Sequence, residues 1–414
     1  MSSSRVCRFC NAGLTHTFVD LGVSPIANDF LAPAAAERME PFYPLHAFVC
    51  DQCWLVQLGE SQSAGHIFSE NYAYFSSFSK SWLEHARNYA TMAISRFGLG
   101  ASNRVVEIAS NDGYLLQYFQ AAGIPVLGVD PSANVAAAAE KRGISTWVRF
   151  FGTETAHDLV KKVGQADLLI GNNVLAHVPV LNDFVAGLKI ALKPKGAITM
   201  EFPHLLRLIE QNQFDTIYHE HYSYFSLLAV EKVFAAHGLT IFDVEELPTH
   251  GGSLRIYAGH AGAVTRQRSV EQLVATEIKA GLNSLAVYES FAQRVQRTKR
   301  RLLEFLISAK ASGKSIVGYG APAKGNTLLN YCGIRTDFVD YTVDLSPHKQ
   351  GLLLPGTHIP VYSPEQIAKT KPDYVLILPW NLRDEITKQL AYVREWGGQF
   401  IVPIPEVAVV PAAK

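Results

Sequence analysis

The chain has no surplus of charge of either sign: 37 Lys and Arg residues face 37 Asp and Glu. It therefore lacks the basic excess of a nucleic-acid binder, and no nucleic-acid partner is expected. No stretch approaches 18 uninterrupted apolar residues, so neither a membrane-spanning helix nor a membrane partner is expected. Residues Met1 to Arg5 run straight into Cys7 with no apolar core, so no signal peptide is legible. No short-period repeat and no low-complexity tract is found. Cysteine is scarce, five residues in all. What remains is 48% apolar and 18% charged, a composition that can build a sizeable core. At roughly 150 residues per domain, the 414 residues make two or three domains. A cytoplasmic, multi-domain monomer is the expectation.

Four of the five cysteines form two C-x-x-C hooks, Cys7-Arg-Phe-Cys10 and Cys50-Asp-Gln-Cys53. Paired hooks present thiolates to a tetrahedral ion, and in a cytosolic chain metal is favoured over disulfide. Redox chemistry needs only one such hook. The 39 residues between the hooks exceed usual zinc-ribbon spacing, so a segment is inserted there. Pro25, Pro33, Pro41 and Pro44 break this region repeatedly, and so small a core is marginal without a metal. Four thiolates close the coordination shell, so the predicted zinc is structural.

An α/β pattern follows a predicted helix over 78–97, whose Trp82, Ala86, Tyr89, Ala93 and Phe97 recur near a 3.6-residue period. Strands are predicted at 104–109, 125–130, 166–171 and 196–201, with helices at 114–122 and 133–142. Such alternation implies a parallel sheet. A helix at 227–237 and two strands within 239–258 come next, around the loop Pro248-Thr-His-Gly-Gly-Ser253. One or two long helices occupy 268–309. A further α/β unit opens at Lys314-Ser-Ile-Val-Gly-Tyr-Gly320, with strands at 337–344 and 373–378.

The first strand–turn–helix, Val105-Val-Glu107-Ile-Ala109-Ser-Asn111-Asp112-Gly113, has an acid near the strand end and a glycine where a ligand approaches. Asp130, followed by Pro131, ends the next strand, where a carboxylate takes ribose hydroxyls. The G-x-G-x-x-G dinucleotide fingerprint is absent. Glu107 and Asp112 repel pyrophosphate and suit a cation, so S-adenosylmethionine is preferred over NAD. Asn172 and Asn173 follow another strand and complete the predicted cofactor pocket. The second glycine loop, Gly318-Tyr319-Gly320-Ala-Pro-Ala-Lys324-Gly325-Asn326, carries a lysine before a helix and suits a diphosphate. Tyr319, Gly320, Lys324 and Asn326 are the predicted substrate-binding residues.

Between these loops lies Ile217-Tyr218-His219-Glu220-His221-Tyr222-Ser223-Tyr224-Phe225, dense in groups able to hydrogen-bond or move protons. It is neither H-E-x-x-H nor an i,i+4 metal pair. His177 follows the strand ending near Ile170, at the end where α/β sheets bind ligands. On an extended run, His219 and His221 point to opposite faces.

Taken in order, the two cysteine hooks, Glu107–Gly113, Asn172-Asn-Val-Leu-Ala-His177, Tyr218–Ser226 and Gly318–Asn326 resemble the sugar C-methyltransferases of deoxysugar biosynthesis. Those enzymes methylate C-3 of nucleotide-linked 4-keto-deoxyhexoses, on routes to sugars of the mycarose, kijanose and tetronitrose type. The resemblance implies a zinc-binding domain over 1–75, a Rossmann-like class I methyltransferase domain over 76–265, and a Rossmann-like α/β domain holding the nucleotide sugar, with a dTDP carrier expected, over 266–414. It also implies that His221 is the base, with Tyr72, His177, Tyr218 and Glu220 as active-site neighbours; Tyr222 belongs to the same cluster. An NAD-dependent nucleotide-sugar oxidoreductase or epimerase, a sugar O-methyltransferase, and a zinc-hook binding module are the alternatives.

Overall fold

The computed structural model describes residues 5–59 and 75–411. The chain divides into two compact units that interleave along the sequence. One comprises Met1–Thr15, Cys50–Leu205 and Tyr222–Asn283; the other comprises His16–Val49, Leu206–His221 and Ser284–Lys414.

The first unit is built on a seven-stranded sheet. Its parallel part runs, in spatial order, Leu192–Pro203, Ala166–Asn172, Val105–Ile108, Val126–Asp130 and Thr146–Val148. All four residues of Val105–Ile108 are buried, as befits a parallel strand covered on both faces. Two strands at the edge depart from the parallel expectation: Ser253–His260 lies antiparallel to Leu192–Pro203, and Leu239–Leu247 antiparallel to Ser253–His260. The cause is local, because the five-residue connection 248–252 is too short for a parallel crossover. The order places a switch point between Val105–Ile108 and Ala166–Asn172, whose C-terminal ends open a crevice for ligands. The predicted helix forms over Lys80–Phe97. The Ser79 hydroxyl caps it by accepting from Trp82 N, and Gly98 in the left-handed region ends it. Its Trp82, Ala86, Tyr89, Ala90 and Ala93 join Leu116, Phe119, Leu168 and Ile170 in one core.

The second unit carries a six-stranded sheet in the order Val361–Tyr362, Thr342–Val343, Ile316–Tyr319, Tyr374–Ile377, Gln399–Val402 and Ala408–Val410. All pairs are parallel except the last. The strand expected over 337–344 shrinks to Thr342–Val343. Leu285–Ala311 is a long helix that buries Tyr288, Phe291, Val295, Leu302 and Leu306. The segment between the cysteine hooks belongs to this unit. It forms the antiparallel pair His16–Ser24 and Tyr43–Val49, and Phe18 stacks on Phe291 with ring centroids 4.5 Å apart.

Candidate active site and zinc centre

In the first unit both C-x-x-C turns have the same shape. The N–H of Asn11 returns to the Cys7 carbonyl and that of Trp54 to the Cys50 carbonyl, each at 2.9 Å. Asn11 and Trp54 both adopt left-handed angles, φ 60° and 66°. For a bulky residue such as tryptophan this conformation is an outlier, held here by the turn. The four sulfurs lie within 4.8 Å of one another; Cys7 and Cys53 are 3.6 Å apart, Cys10 and Cys50 3.5 Å. A tetrahedron of ~2.3 Å zinc–sulfur bonds has edges of about 3.8 Å, so the donor set fits the ion. Gln57 adds an N–H to Cys7 Sγ at 3.2 Å, the kind of support that outer-shell groups give metal ligands. Without an ion the thiols crowd one another: the Cys53–Cys7 hydrogen bond and burial push Cys53 far up, and burial holds Cys50 at about 11. A dication supplies the charge that lets all four ionise.

At the crevice of the same unit, the loop after Val105–Ile108 takes left-handed angles at Ala109, Asn111 and Gly113. Gly113 is required there, because at φ 76° a Cβ would also lie 3.1 Å from Ile144 Cγ1. Asp130 grips the loop: one carboxylate oxygen accepts from Asn111 N and the other from Ser132 N, each at 2.9 Å. Burial pushes Asp130 up to about 6. Pro131, half-buried, sets the turn between the two. Glu107 is fully buried, and burial raises its carboxyl well above the usual range. The Tyr114 hydroxyl opposes that rise without closing a short hydrogen bond to either oxygen; Asp112 Oδ1, both amide atoms of Asn172 and Asn173 Oδ1 have no hydrogen-bond partner among the described residues. Acceptors without donors outnumber the one unmatched donor, Asn172 Nδ2, and such a pocket fits a ligand rich in N–H and O–H groups and positive charge, as S-adenosylmethionine is. Asp112 contributes less negative charge than its sequence position suggests, because Arg142 pairs with it at 3.3 Å and Ser77 donates to it.

In the second unit, Tyr218–His221 is not extended. The N–H of His221 closes a turn on the Tyr218 carbonyl at 2.9 Å, so strand alternation does not separate the two histidines. Their hydrogen bonds do. His221 Nδ1 meets the Thr216 carbonyl at 2.9 Å, which fixes the proton on Nδ1 and leaves the lone pair on Nε2. His219 uses Nε2 on the Pro44 carbonyl at 3.2 Å; its ring packs edge-on to Tyr43, and burial lowers its pKa. Tyr218 lies over His221, with centroids 4.1 Å apart. Glu220 is buried and accepts from Asn28 Nδ2 at 2.6 Å; burial pushes it up to about 7, against this bond and the charge of Lys349.

Gly320 opens the second loop at φ 88°, and Tyr319 donates to Gln389 at 3.2 Å. Asn326 is buried and holds the Ala27 carbonyl. Lys324 donates to Asn381 at 2.9 Å and lies over the Trp380 ring. Trp380 in turn donates to buried Asp215 at 2.7 Å. Two predicted residues fall to the first unit: His177, half-buried after Ala166–Asn172, and Tyr222, buried beneath the Arg8 guanidinium. Tyr72 lies outside the described residues.

Sequence reasoning passed over two features. Asn28 is one, hidden because nothing local links it to Glu220, 192 positions away. The other is His250, whose signal was the pair of glycines that follow it. Spacing alone puts both Asp340 and Asp344 near the ribose position of the second loop, and the structure separates them. Asp344 accepts from Ala321 N at 2.7 Å and Ser346 N at 2.8 Å, repeating Asp130's hold on its own loop, whereas Asp340 pairs with Lys310.

Family models match almost end to end: a zinc binding domain over residues 7–68, a methyltransferase domain over 82–244 and a C-methyltransferase C-terminal domain over 248–405. The C-methyltransferase NovU of Streptomyces niveus is 37% identical over 407 residues, which cover 98% of this chain and 97% of NovU. Solved structures give looser likenesses. Magnesium protoporphyrin IX methyltransferase ChlM of Synechocystis PCC 6803 is 15% identical over 43% of this chain and 79% of its own, with a TM-score of 0.34. The CcbJ methyltransferase of Streptomyces caelestis is 11% identical over 43% and 90%, also at 0.34. Matched along its whole length in this way, the chain belongs to the C-methyltransferase family, enzymes that use S-adenosylmethionine and carry a structural zinc.

Proposed function

We propose that this enzyme methylates a carbon beside the ketone of a nucleotide-linked 4-keto-deoxysugar, C-3 of a dTDP-4-keto-6-deoxyhexose, after His221 removes the proton there. The observation that carries the reading is the tautomer of His221: a ring whose Nδ1–H is held by the Thr216 carbonyl offers its Nε2 lone pair as a base. Carbon is a poor nucleophile until an adjacent ketone lets it become an enolate, so the reaction needs that base and donors for the enolate oxygen. Tyr218, Tyr222, Tyr72 and His177 are the proposed donors. Glu220, with a carboxyl near neutrality, is the proposed neighbour that exchanges a proton with the sugar's hydroxyl side. Bound S-adenosylmethionine supplies an electrophilic methyl group. Glu107, Ala109, Asn111, Gly113, Asp130, Pro131, Asn172 and Asn173 are proposed to hold it, with Asp130 on its ribose. Asp344, which copies the Asp130 arrangement, supports a nucleotide in the second unit beside Tyr319, Gly320, Lys324 and Asn326. Domains bounded at 1–75, 76–265 and 266–414 are the proposed functional divisions.

The test is incubation with labelled S-adenosylmethionine and a panel of 4-keto nucleotide sugars, with products read by mass and NMR. His221→Ala should retain cofactor binding and lower turnover by about 10² or more. It should also abolish exchange of the sugar's α-proton with heavy water. Normal exchange in His221→Ala together with its loss in His219→Ala would move the base to His219.

A further inference from the structure

Beyond the cysteine turns and the Glu107 loop, two further non-glycine residues of the first unit take left-handed backbone angles, Asn173 at φ 54° and His250 at φ 55°. Such angles persist only where surroundings over-determine them, and they gather at functional sites. These two residues touch, with Asn173 Nδ2 3.3 Å from His250 Nε2. One residue holds both. The backbone carbonyl of Glu201 accepts from Asn173 N at 2.7 Å, and its carboxylate accepts from the hydroxyl of Thr249, beside His250, at 2.9 Å. Glu201 is itself fully buried and is fixed by His85 at 2.9 Å and Arg255 at 2.8 Å. Gly252 N closes the turn on the Thr249 carbonyl at 2.9 Å, and the Trp82 ring packs on His250 at 5.2 Å.

This bracing has a chemical result. An amide that gives its N–H to the imidazole must turn its oxygen elsewhere. Asn173 Oδ1 is buried with no hydrogen-bond partner among the described residues. It lies just past the end of Ala166–Asn172, on the opposite side of Val105–Ile108 from Asp130. A ligand with its ribose on Asp130 that crosses the Glu107 loop brings its far end to Asn173. In S-adenosylmethionine that end is the amino-acid arm, whose ammonium is the strong donor an orphaned acceptor lacks. We propose that His250 is a positioning residue, which orients the Asn173 amide so that Oδ1 receives the ammonium group of the methyl donor. The proposal rests on the reading that places S-adenosylmethionine in this crevice.

Calorimetry on the full chain tests it with two ligands, S-adenosylmethionine and 5′-methylthioadenosine, which keeps the nucleoside and lacks the amino-acid arm. His250→Ala should weaken S-adenosylmethionine binding about tenfold, the worth of one well-placed hydrogen bond, and leave methylthioadenosine binding unchanged. His250→Gln, which keeps an acceptor, should bind both as wild type does. Asn173→Ala added to His250→Ala should cause little further loss, as expected of two residues acting as one unit. Equal weakening of both ligands, or weakening of neither, overturns the proposal. Should His250→Ala not fold, His250→Leu, which preserves the packing on Trp82, makes the same comparison. A wild-type chain that binds neither ligand overturns the cofactor reading itself rather than the role of His250.

Discussion

Asp130 sits where two backbone N–H groups stabilise its charge and burial opposes it, and burial wins, raising the carboxyl to about 6. In the proposed cofactor site ribose hydroxyls donate to the ionised form, so on that proposal S-adenosylmethionine affinity should fall as pH drops through about 6. Asp130→Ala should weaken binding by about 1.5–3 kcal/mol at neutral pH and flatten that dependence, as calorimetry across pH 5–8 will read. Glu220 gives the opposite kind of prediction, one of stability. A carboxyl raised to about 7 in the folded chain destabilises the fold increasingly as pH climbs from the unfolded value toward 7, and fully above it. Glu220→Gln keeps an acceptor for Asn28 and removes that charge. It should therefore melt higher than wild type at pH 8, by roughly 3 kcal/mol, and the gain should shrink to under about 1 kcal/mol at pH 5. The same variant should turn over more slowly if Glu220 serves the sugar. At this scale the sequence was a partial guide. It showed the acids and histidines but not their partners, since Thr216 on His221, Asn28 on Glu220 and Arg142 on Asp112 follow from the path of the chain rather than from spacing.

Elements were more legible than residues. The strands at 105, 126 and 166 were marked by apolar runs and the helix at 80 by the 3.6-residue period of Trp82, Ala86, Tyr89, Ala93 and Phe97, all local signals. The antiparallel edge was not, because period alone does not say which strand a hairpin joins. Nor was the way one helix start is held. Glu277, on the helix Arg268–Lys279, is fully buried. Its carboxylate accepts from Leu227 N and Leu228 N, at 2.7 and 2.8 Å, at the start of the helix Leu227–Ala236. The same carboxylate meets His204 Nε2 at 2.7 Å. It thus ties two helices and a strand end. Glu277→Ala should cost about 3–5 kcal/mol, since it strands a buried imidazole and two helix N–H groups together. Urea unfolding will measure it; a loss below about 1 kcal/mol would mean that water replaces the carboxylate.

For the whole molecule, metal analysis should give about one zinc per chain, and a chelator should lower the melting temperature. A metal-free protein that melts like the wild type would remove the ion from the account. The hooks stand at the two points where the chain leaves the first unit and returns to it, around His16–Val49. Fixing the ends of a loop of about 40 residues is worth roughly 4 kcal/mol on the chain-entropy scale. The same interleaving dictates an order of events during synthesis. His16–Val49 leaves the ribosome early, yet the helix Leu285–Ala311 on which Phe18 stacks is made roughly 235 residues later, about 10–50 s at ~5–20 residues per second. Until then Phe18, Val19 and Leu21 have no finished core to enter. A zinc ion captured by the four early cysteines would hold that waiting segment as a closed loop while the rest of its unit is still being translated.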